Sequence, residues 1–359
     1  MLELSANFQH HHIIGIGRSG TTLLQSLLNA HPDIWAGPED YFIPFFYHRW
    51  KNKTTFTEKD LKRLEAFHIA FGKLQPYVGF TFDTTSFLRS KPEDFNGMVK
   101  CTYDSFVDEL NPVKKASLYV NKNPLHSLYL HELQALNPES KFIWMMRDYR
   151  ANVYSRIQSV HLKRSNVYFN AVRWVYFYKR IKQFQDKNPN KVMILRYEDL
   201  VQAPEKHSEK VLAFLNADIQ HNLPSLLLPY QKKYKTEVAS NYQGMKRMEK
   251  RFGDLAQPIH TDTIEKWKKG LNEQQIRIAE VICGKCGIEQ SYQATTRCNR
   301  IQWASIQIAA FFVKLFVLTQ LQKDVLFNRL PVPFKVNYFV KWVAKIDKKR
   351  KKNVDTKTT

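Results

Sequence analysis

The sequence predicts an α/β protein, a central parallel sheet flanked by helices, with a helical C-terminal extension. Three observations predict it. Short strand-like runs at 12–14, 142–146 and 192–195 each give way to residues at helical spacing, the alternation that builds parallel sheets. Between the first run and its helix lies a tight loop, Gly15-Ile16-Gly17-Arg18-Ser19-Gly20. Beyond Cys298 the chain becomes long, apolar and basic. Residues 1–295 are therefore assigned to the α/β domain and 296–359 to a basic amphipathic extension.

An apolar content of 43% and a charged content of 25% are ordinary for a globular chain of 359 residues. A net charge of +22 is not, and it implies an anionic ligand, surface or polymer. From Arg300 onward there are 13 Lys/Arg against 3 Asp/Glu, so much of the excess is late. A strand starting around residue 12 leaves little room for a signal peptide or N-terminal anchor, which predicts a cytoplasmic, bacterial setting. Four cysteines do not make a disulfide scaffold. Cys283 and Cys286 have zinc or redox spacing, but without a second pair they read as a helix end capped by Gly287.

The first strand feeds a loop that opens into a helix at Thr21 or Thr22. Backbone N–H groups and the positive end of the helix dipole converge there, which suits a phosphate. Gly15 to Thr22 fits G-x-x-x-x-G-Thr-Thr, a Walker A template with Thr21 in place of the lysine. That lysine normally holds the β/γ-phosphates, so an ATPase or GTPase is a poor match. A cation sits inside the loop instead, at Arg18. The cradle is P-loop-like, but built for something other than a triphosphate.

Leu23, Leu24, Leu27 and Leu28 give a helix over 21–30, ended by Pro32. A short strand or edge at 33–37 then brings Pro38-Glu39-Asp40 near the mouth of the loop. Glu39 is a catalytic candidate there, against the reading of a solvated loop acid. Tyr41, Phe42, Phe45, Phe46, Tyr47 and Trp50, with a second cluster at Phe80, Phe82 and Phe87, either line an acceptor cleft or pack the core. Residues 57–71 look like a surface helix. A strand then ends in the turn Asn121-Lys122-Asn123-Pro124. The apolar run at 142–146 reads as a buried parallel strand with Arg147 at its C-terminal end, where open α/β sheets bind ligands. A helix follows over 148–159. Arg147 offers a bidentate fork to an anion at the strand end, against a simple Arg147–Asp148 pair. A long aromatic helix at 165–185 is for packing, and the strand at 192–195 leads to Arg196-Tyr197-Glu198-Asp199. Pro204 opens a helix over 204–215. Residues 223–258 are polar, basic and irregular, and a last helix covers 272–286.

Gly17-Arg18-Ser19-Gly20-Thr21-Thr22-Leu23-Leu24, followed by Leu28-Asn29-Ala30-His31-Pro32-Asp33 and Gly37-Pro38-Glu39, resembles the 5′-phosphosulfate loop of sulfotransferases. The likeness is greatest to the tyrosylprotein sulfotransferase branch and its bacterial relatives, and it extends from residue 12 to about 290. It implies the co-substrate PAPS (3′-phosphoadenosine 5′-phosphosulfate) and no metal. It implies that Ser19, Gly20, Thr21 and Thr22 bind the 5′-phosphate and that Arg18 and Lys122 stabilise charge in transfer. By the same resemblance Glu39 is the base, Arg147 and Ser155 hold the 3′-phosphate, and Tyr197 and Lys266 lie at the nucleotide. Ser159 departs from the pattern, which has a basic residue there; Arg156, Lys163 and Arg164 are the nearby substitutes. No hydroxyl is evident near Arg251 or Phe252 in the region that covers the nucleotide in relatives. The implied acceptor is a hydroxyl on a cell-envelope carbohydrate, a glycolipid or a peptidyl tyrosine. The aromatic stretch and basic tail favour a lipid-linked or envelope carbohydrate.

Residues 303–321 are nearly all apolar, with Arg300, Gln307 and Lys314 on one narrow stripe. Nineteen residues can span a bilayer, but a mid-helix lysine costs about 2.5–3.5 kcal/mol. A helix lying at an interface fits better. Residues 334–346 are aromatic and basic, and Lys348-Lys349-Arg350-Lys351-Lys352 follows. An anionic membrane surface is the expected partner of residues 300–352, with packing on the enzyme the open alternative. Two other functions remain in view, a P-loop nucleotide kinase and a non-catalytic binder of anionic polymers. No nucleic-acid-binding module is visible, so none is expected as a partner.

Overall fold

The computed structural model describes residues 8, 10–37, 39–74, 92–110, 116–159, 166–237 and 259–355, with only the backbone of 108–110, 233–237 and 349–355. Five strands, β1 (His10–Ile14), β2 (Ile34–Ala36), β3 (Leu118–Lys122), β4 (Phe142–Met146) and β5 (Val192–Arg196), form one parallel sheet in the order β2-β3-β1-β4-β5. The chain runs from β1 to β2 and β3 on one side, then crosses to β4 and β5 on the other. The strand order therefore reverses around β1, the switch point at which open α/β sheets bind ligands in a crevice beyond the carboxyl ends of their strands. Ile13 lies opposite Lys122 and Ile14 opposite Trp144, so the three strand ends stand nearly level.

Both faces of the sheet are covered, as the apolar run of β4 requires. On one face Leu24, Leu27 and Leu28 of the helix Thr21–Ala30 pack with Ile13, Val120, Ile143, Met145 and Leu195. On the other, the helices Phe42–Trp50 and Val167–Lys187 bring Phe42, Phe46, Trp174 and Phe177 against Trp35, Phe142 and Trp144. Several expectations shift. β1 begins at His10 rather than around residue 12, and its three histidines are fully packed. Desolvation pushes His10 down to about 3 and His11 to about 4, so both enter the sheet neutral. The expected surface helix, observed as Glu58–Leu74, is buried along one side, where Phe67 stacks on Phe339 with ring centres 5.2 Å apart. The aromatics of 41–50 pack the core instead of lining a cleft. Part of the expected irregular stretch is a helix, Leu223–Glu237, and Tyr197 starts a short helix rather than a turn. The last domain helix runs through Gly287 to Ile288, so Gly287 is not its cap. Cys283 and Cys286 are buried in it, and the Cys283 thiol donates to the Ala171 carbonyl at 3.5 Å.

The extension forms two helices, Arg300–Arg329 and Val332–Asp355. Asn299 and Gln302 cap the first reciprocally, and Pro331 breaks the chain between them. Ile306, Ala310, Val317, Leu321 and Asn328 recur at intervals of four and seven, one stripe of the helix, and that stripe is buried. It packs chiefly on Val167–Lys187, while the second helix covers Glu58–Leu74. Their apolar residues belong to the same core cluster as Phe45, Phe67 and Phe177. The Phe80, Phe82 and Phe87 cluster, Lys163, Arg164 and the basic stretch 238–258 lie outside the described residues.

Candidate active site

The loop after β1 takes its shape from two glycines and one strained arginine. Gly15 has φ +135°, and a Cβ there would sit 2.4 Å from the Met145 carbonyl oxygen. Gly20 has φ +89° at the helix N-cap, where a Cβ would sit 2.3 Å from the Tyr197 ring. Arg18 adopts φ +76° without being glycine, a conformation that surrounding structure must hold in place. Asn152 and Ser127 do so. The Asn152 amide donates to the Gly17 carbonyl at 3.1 Å and to Ser19 Oγ at 2.9 Å. The Gly15 N–H donates to Ser127 Oγ at 3.0 Å. Ser19 and Thr21 are buried and Thr22 half-buried, leaving the first turn of the helix facing the crevice with its unpaired N–H groups.

Arg147 leaves the end of β4 and crosses to this loop. Its Nη1 donates to the Arg18 carbonyl at 3.3 Å, and its Nη2 to the Thr263 carbonyl at 2.7 Å. Its guanidinium lies over the Tyr197 ring, 4.4 Å from the centre. Tyr197 Oη and Thr263 Oγ1 are 2.5 Å apart, so residues from three segments clamp one cation. The Arg147–Asp148 pair weighed from the sequence does not form. Asp148 caps the next helix and pairs with Arg150 at 2.7 Å. Arg18 closes the circle, since its Nε donates to Ser155 Oγ at 3.0 Å. Arg156 is buried beside Gly17, held by Asn170 at 2.8 Å. Burial first, then the neighbouring Arg173 and Arg18, push its guanidinium down to about 9. Arg147 Nε is buried without a hydrogen-bond partner. Crowded guanidiniums and an unanswered buried donor are what a polyanion completes, so these residues fit a nucleotide phosphate.

The third strand end supplies the acid. Lys122 is buried at the end of β3 and pairs at 2.7 Å with Glu39, whose side chain is partly exposed. Asp40 anchors that segment. Its carboxylate accepts the Phe42 N–H at 2.8 Å, and its carbonyl accepts the Asn123 amide at 2.7 Å. Burial raises Asp40 to about 7. Of the residues singled out in the sequence, Arg147, Ser155 and Tyr197 meet the loop that carries Arg18, Ser19, Gly20 and Thr21, while Glu39 and Lys122 pair with each other at the end of β3. Lys266 is exposed at the start of the helix Lys266–Gly270, three residues past Thr263, and no hydrogen bond or ion pair among the described residues ties it to the crevice. Asn152, Ser127 and Thr263 were missed, because each is an ordinary polar residue more than a hundred positions from its partner.

A sequence profile described as "Sulfotransferase family" matches residues 12–221, more than half of the chain. A putative protein-tyrosine sulfotransferase of Caenorhabditis briggsae is 27% identical over 267 residues, covering 73% of this chain and 82% of the relative. The protein-tyrosine sulfotransferase of Drosophila melanogaster is 25% identical, over 70% of this chain and 46% of its own length. Protein-tyrosine sulfotransferase 1 of Homo sapiens is 31% identical over a shorter span, 44% of this chain and 38% of its own. The matched region thus spans less than half of the latter two relatives. Among solved structures, a sulfotransferase domain from the curacin biosynthetic pathway aligns with 79% of this chain and 98% of its own, at TM-score 0.49 and 20% identity.

Proposed function

Since the chain belongs to the sulfotransferase family, we propose that it transfers the sulfuryl group of PAPS to an acceptor hydroxyl, with Glu39 as the base. The observation that carries this reading is the joining of two anion-binding motifs, Arg147 reaching the Arg18 carbonyl and Arg18 reaching Ser155. A nucleotide with phosphates at both ends of its ribose needs two such grips side by side. When bound, PAPS supplies an activated sulfuryl group on a phosphate leaving group. Arg147, Ser155 and Arg156 hold the 3′-phosphate, and the N–H groups from Ser19 to Thr22 hold the 5′-phosphate. Arg18 and Lys122 offset negative charge that grows on the leaving side. Lys122 also fixes the orientation of Glu39, which takes the proton from the acceptor. Tyr197 and Thr263 keep the Arg147 fork in plane and exclude water beneath it.

The names of the relatives make a tyrosyl peptide the first acceptor to test. The basic tail keeps envelope glycans and glycolipids in the panel. The test is incubation of the protein with ³⁵S-labelled PAPS and fractionated peptides, glycans and lipids. Labelled product together with stoichiometric PAP is expected, and Arg18→Ala should reduce turnover on the order of 10²-fold. Tight PAPS binding with no PAP formed on any acceptor would leave a non-catalytic anion binder instead. Mg²⁺-dependent ATP turnover would revive the kinase reading.

A further inference from the structure

The helix Arg300–Arg329 is apolar on the wrong side for a water-soluble protein. Its buried stripe is Ile306, Ala310, Val317 and Leu321, facing Val167–Lys187. The opposite side carries Ile301, Ile308, Phe311, Phe312, Leu315 and Leu326, with Phe311 57% and Phe312 65% exposed. Of the polar stripe read from the sequence, Gln307 is half-buried and donates to the Val281 carbonyl at 3.1 Å, while Arg300 and Lys314 are exposed. Length and mean hydropathy would let this helix cross a membrane, but its buried stripe packs along Val167–Lys187. An outward apolar face of this extent needs an apolar environment.

The second helix says which one. On the outward side of Val332–Asp355, Phe334, Tyr338 and Trp342 alternate with Lys341, Lys345 and Lys348, all exposed. The two outward faces meet where Phe327 contacts Tyr338, ring centres 5.4 Å apart. Acids among the described side chains avoid this surface. Asp324 is exposed but lies near Arg173, on the same side of the helix as the buried stripe, and Asp347 is half-buried. Aromatics beside snorkelling lysines, flanking a strip of large apolar side chains, match the chemistry of an anionic lipid interface. A second protein copy would have to bring acids to the lysine side, and this chain offers few.

We infer that the outer face of the two C-terminal helices docks flat on an anionic lipid bilayer, with Phe311 and Phe312 entering the acyl boundary and Lys341 and Lys345 meeting the headgroups. The contact holds the enzyme at the surface without spanning it, and it does not depend on the chemistry of the crevice. Flotation of the full chain with vesicles of phosphatidylcholine and 30% phosphatidylserine tests it, against phosphatidylcholine alone. Binding to the anionic vesicles on the order of tenfold tighter is expected at 0.1 M NaCl, falling steeply at 0.5 M. Phe311→Glu/Phe312→Glu should abolish binding while leaving the thermal midpoint unchanged, and Lys341→Glu/Lys345→Glu should remove only the preference for anionic lipid. Should the first variant fail to fold, the second alone decides. Equal binding to neutral vesicles, no binding, binding unchanged in both variants, resistance to alkaline carbonate extraction, or a concentration-dependent dimer without vesicle binding would each overturn the proposal.

Discussion

Glu39 and Lys122 lie 83 positions apart and meet at 2.7 Å, so each is set by the other. Truncating them should therefore act differently on the two kinetic constants. Glu39→Gln keeps the shape but cannot take a proton. Turnover should fall on the order of 10²-fold or more, with the KM for PAPS little changed, as measured by initial rates at saturating acceptor. Arg147→Lys keeps the charge but loses both the fork that reaches Arg18 and Thr263 and the flat stack on Tyr197. Its signature should be the reverse, weaker binding of PAP on the order of tenfold by calorimetry, with a smaller effect on the saturated rate. Had Arg147 been a simple strand-end partner of Asp148, the lysine variant would bind PAP normally. The geometry speaks against that, because Asp148 is occupied by Arg150.

The strand β1 shows how much of an element the sequence discloses and where it stops. Gly15, Gly20 and the hydroxyls after them were legible because backbone geometry at a strand-to-helix phosphate loop admits few residue types. Arg147 was legible because a charged residue ending an apolar strand has few structural uses. The histidines before Ile13 gave no such signal. They are polar by composition, yet His10 and His12 are fully buried, and neither ring nitrogen of His12 is hydrogen-bonded. His12 stacks on Phe142, ring centres 5.2 Å apart, and contacts His126 at 5.6 Å. Burial lowers His10 and His126 to about 3 and His12 well below its ordinary 6.5. The unfolded chain takes up protons below 6.5 while the folded chain does not, so stability is full at neutral pH and is lost as pH falls toward 4. Each such histidine steepens the loss by up to about 1.4 kcal/mol per pH unit. The urea midpoint should drop sharply between pH 7 and pH 5. His12→Phe should flatten that slope and give the higher midpoint at pH 5, whereas a slope unchanged in the variant would mean that the strand is not the acid-sensitive element.

At the scale of the whole molecule, the question is whether the extension is a separate appendage or a wall of the enzyme. The sequence shows a change of composition near residue 296, and composition cannot reveal which earlier helix the later ones cover, since Phe67 and Phe339 are far apart in the chain. The packing is that of a wall. Asn328 donates to Tyr129 Oη at 2.7 Å and to Tyr41 Oη at 2.9 Å, next to the helix that follows Glu39 and Asp40. Lys335 is buried, donating to the Phe45 carbonyl and, at 2.8 Å, to the Asn328 carbonyl. Burial first, then the nearby Arg49, lower its ammonium to about 7, and the group is held by its carbonyl partners, with no acid pairing with it among the described residues. Ending the chain at residue 295 would uncover Phe45, Phe46 and Phe67, three large side chains that now have no more than 2% of their surface exposed. Each phenylalanine so exposed forfeits roughly 1.5–3 kcal/mol, a sum comparable with the whole stability of a domain. The shortened chain should therefore be recovered as aggregate, or as a soluble form that binds 1-anilinonaphthalene-8-sulfonate and lacks a cooperative thermal transition. Asn328→Leu is the milder probe. It keeps the volume but removes both amide hydrogen bonds to the Tyr41–Tyr129 hydroxyl pair, leaving only the bond between the two hydroxyls at 2.8 Å, and should lower stability by about 1–3 kcal/mol in urea titration while PAP still binds. If instead residues 1–295 unfold cooperatively near the full-length midpoint, the extension rests on the enzyme without supporting it, and its tie to Tyr41 and Tyr129 has no energetic weight.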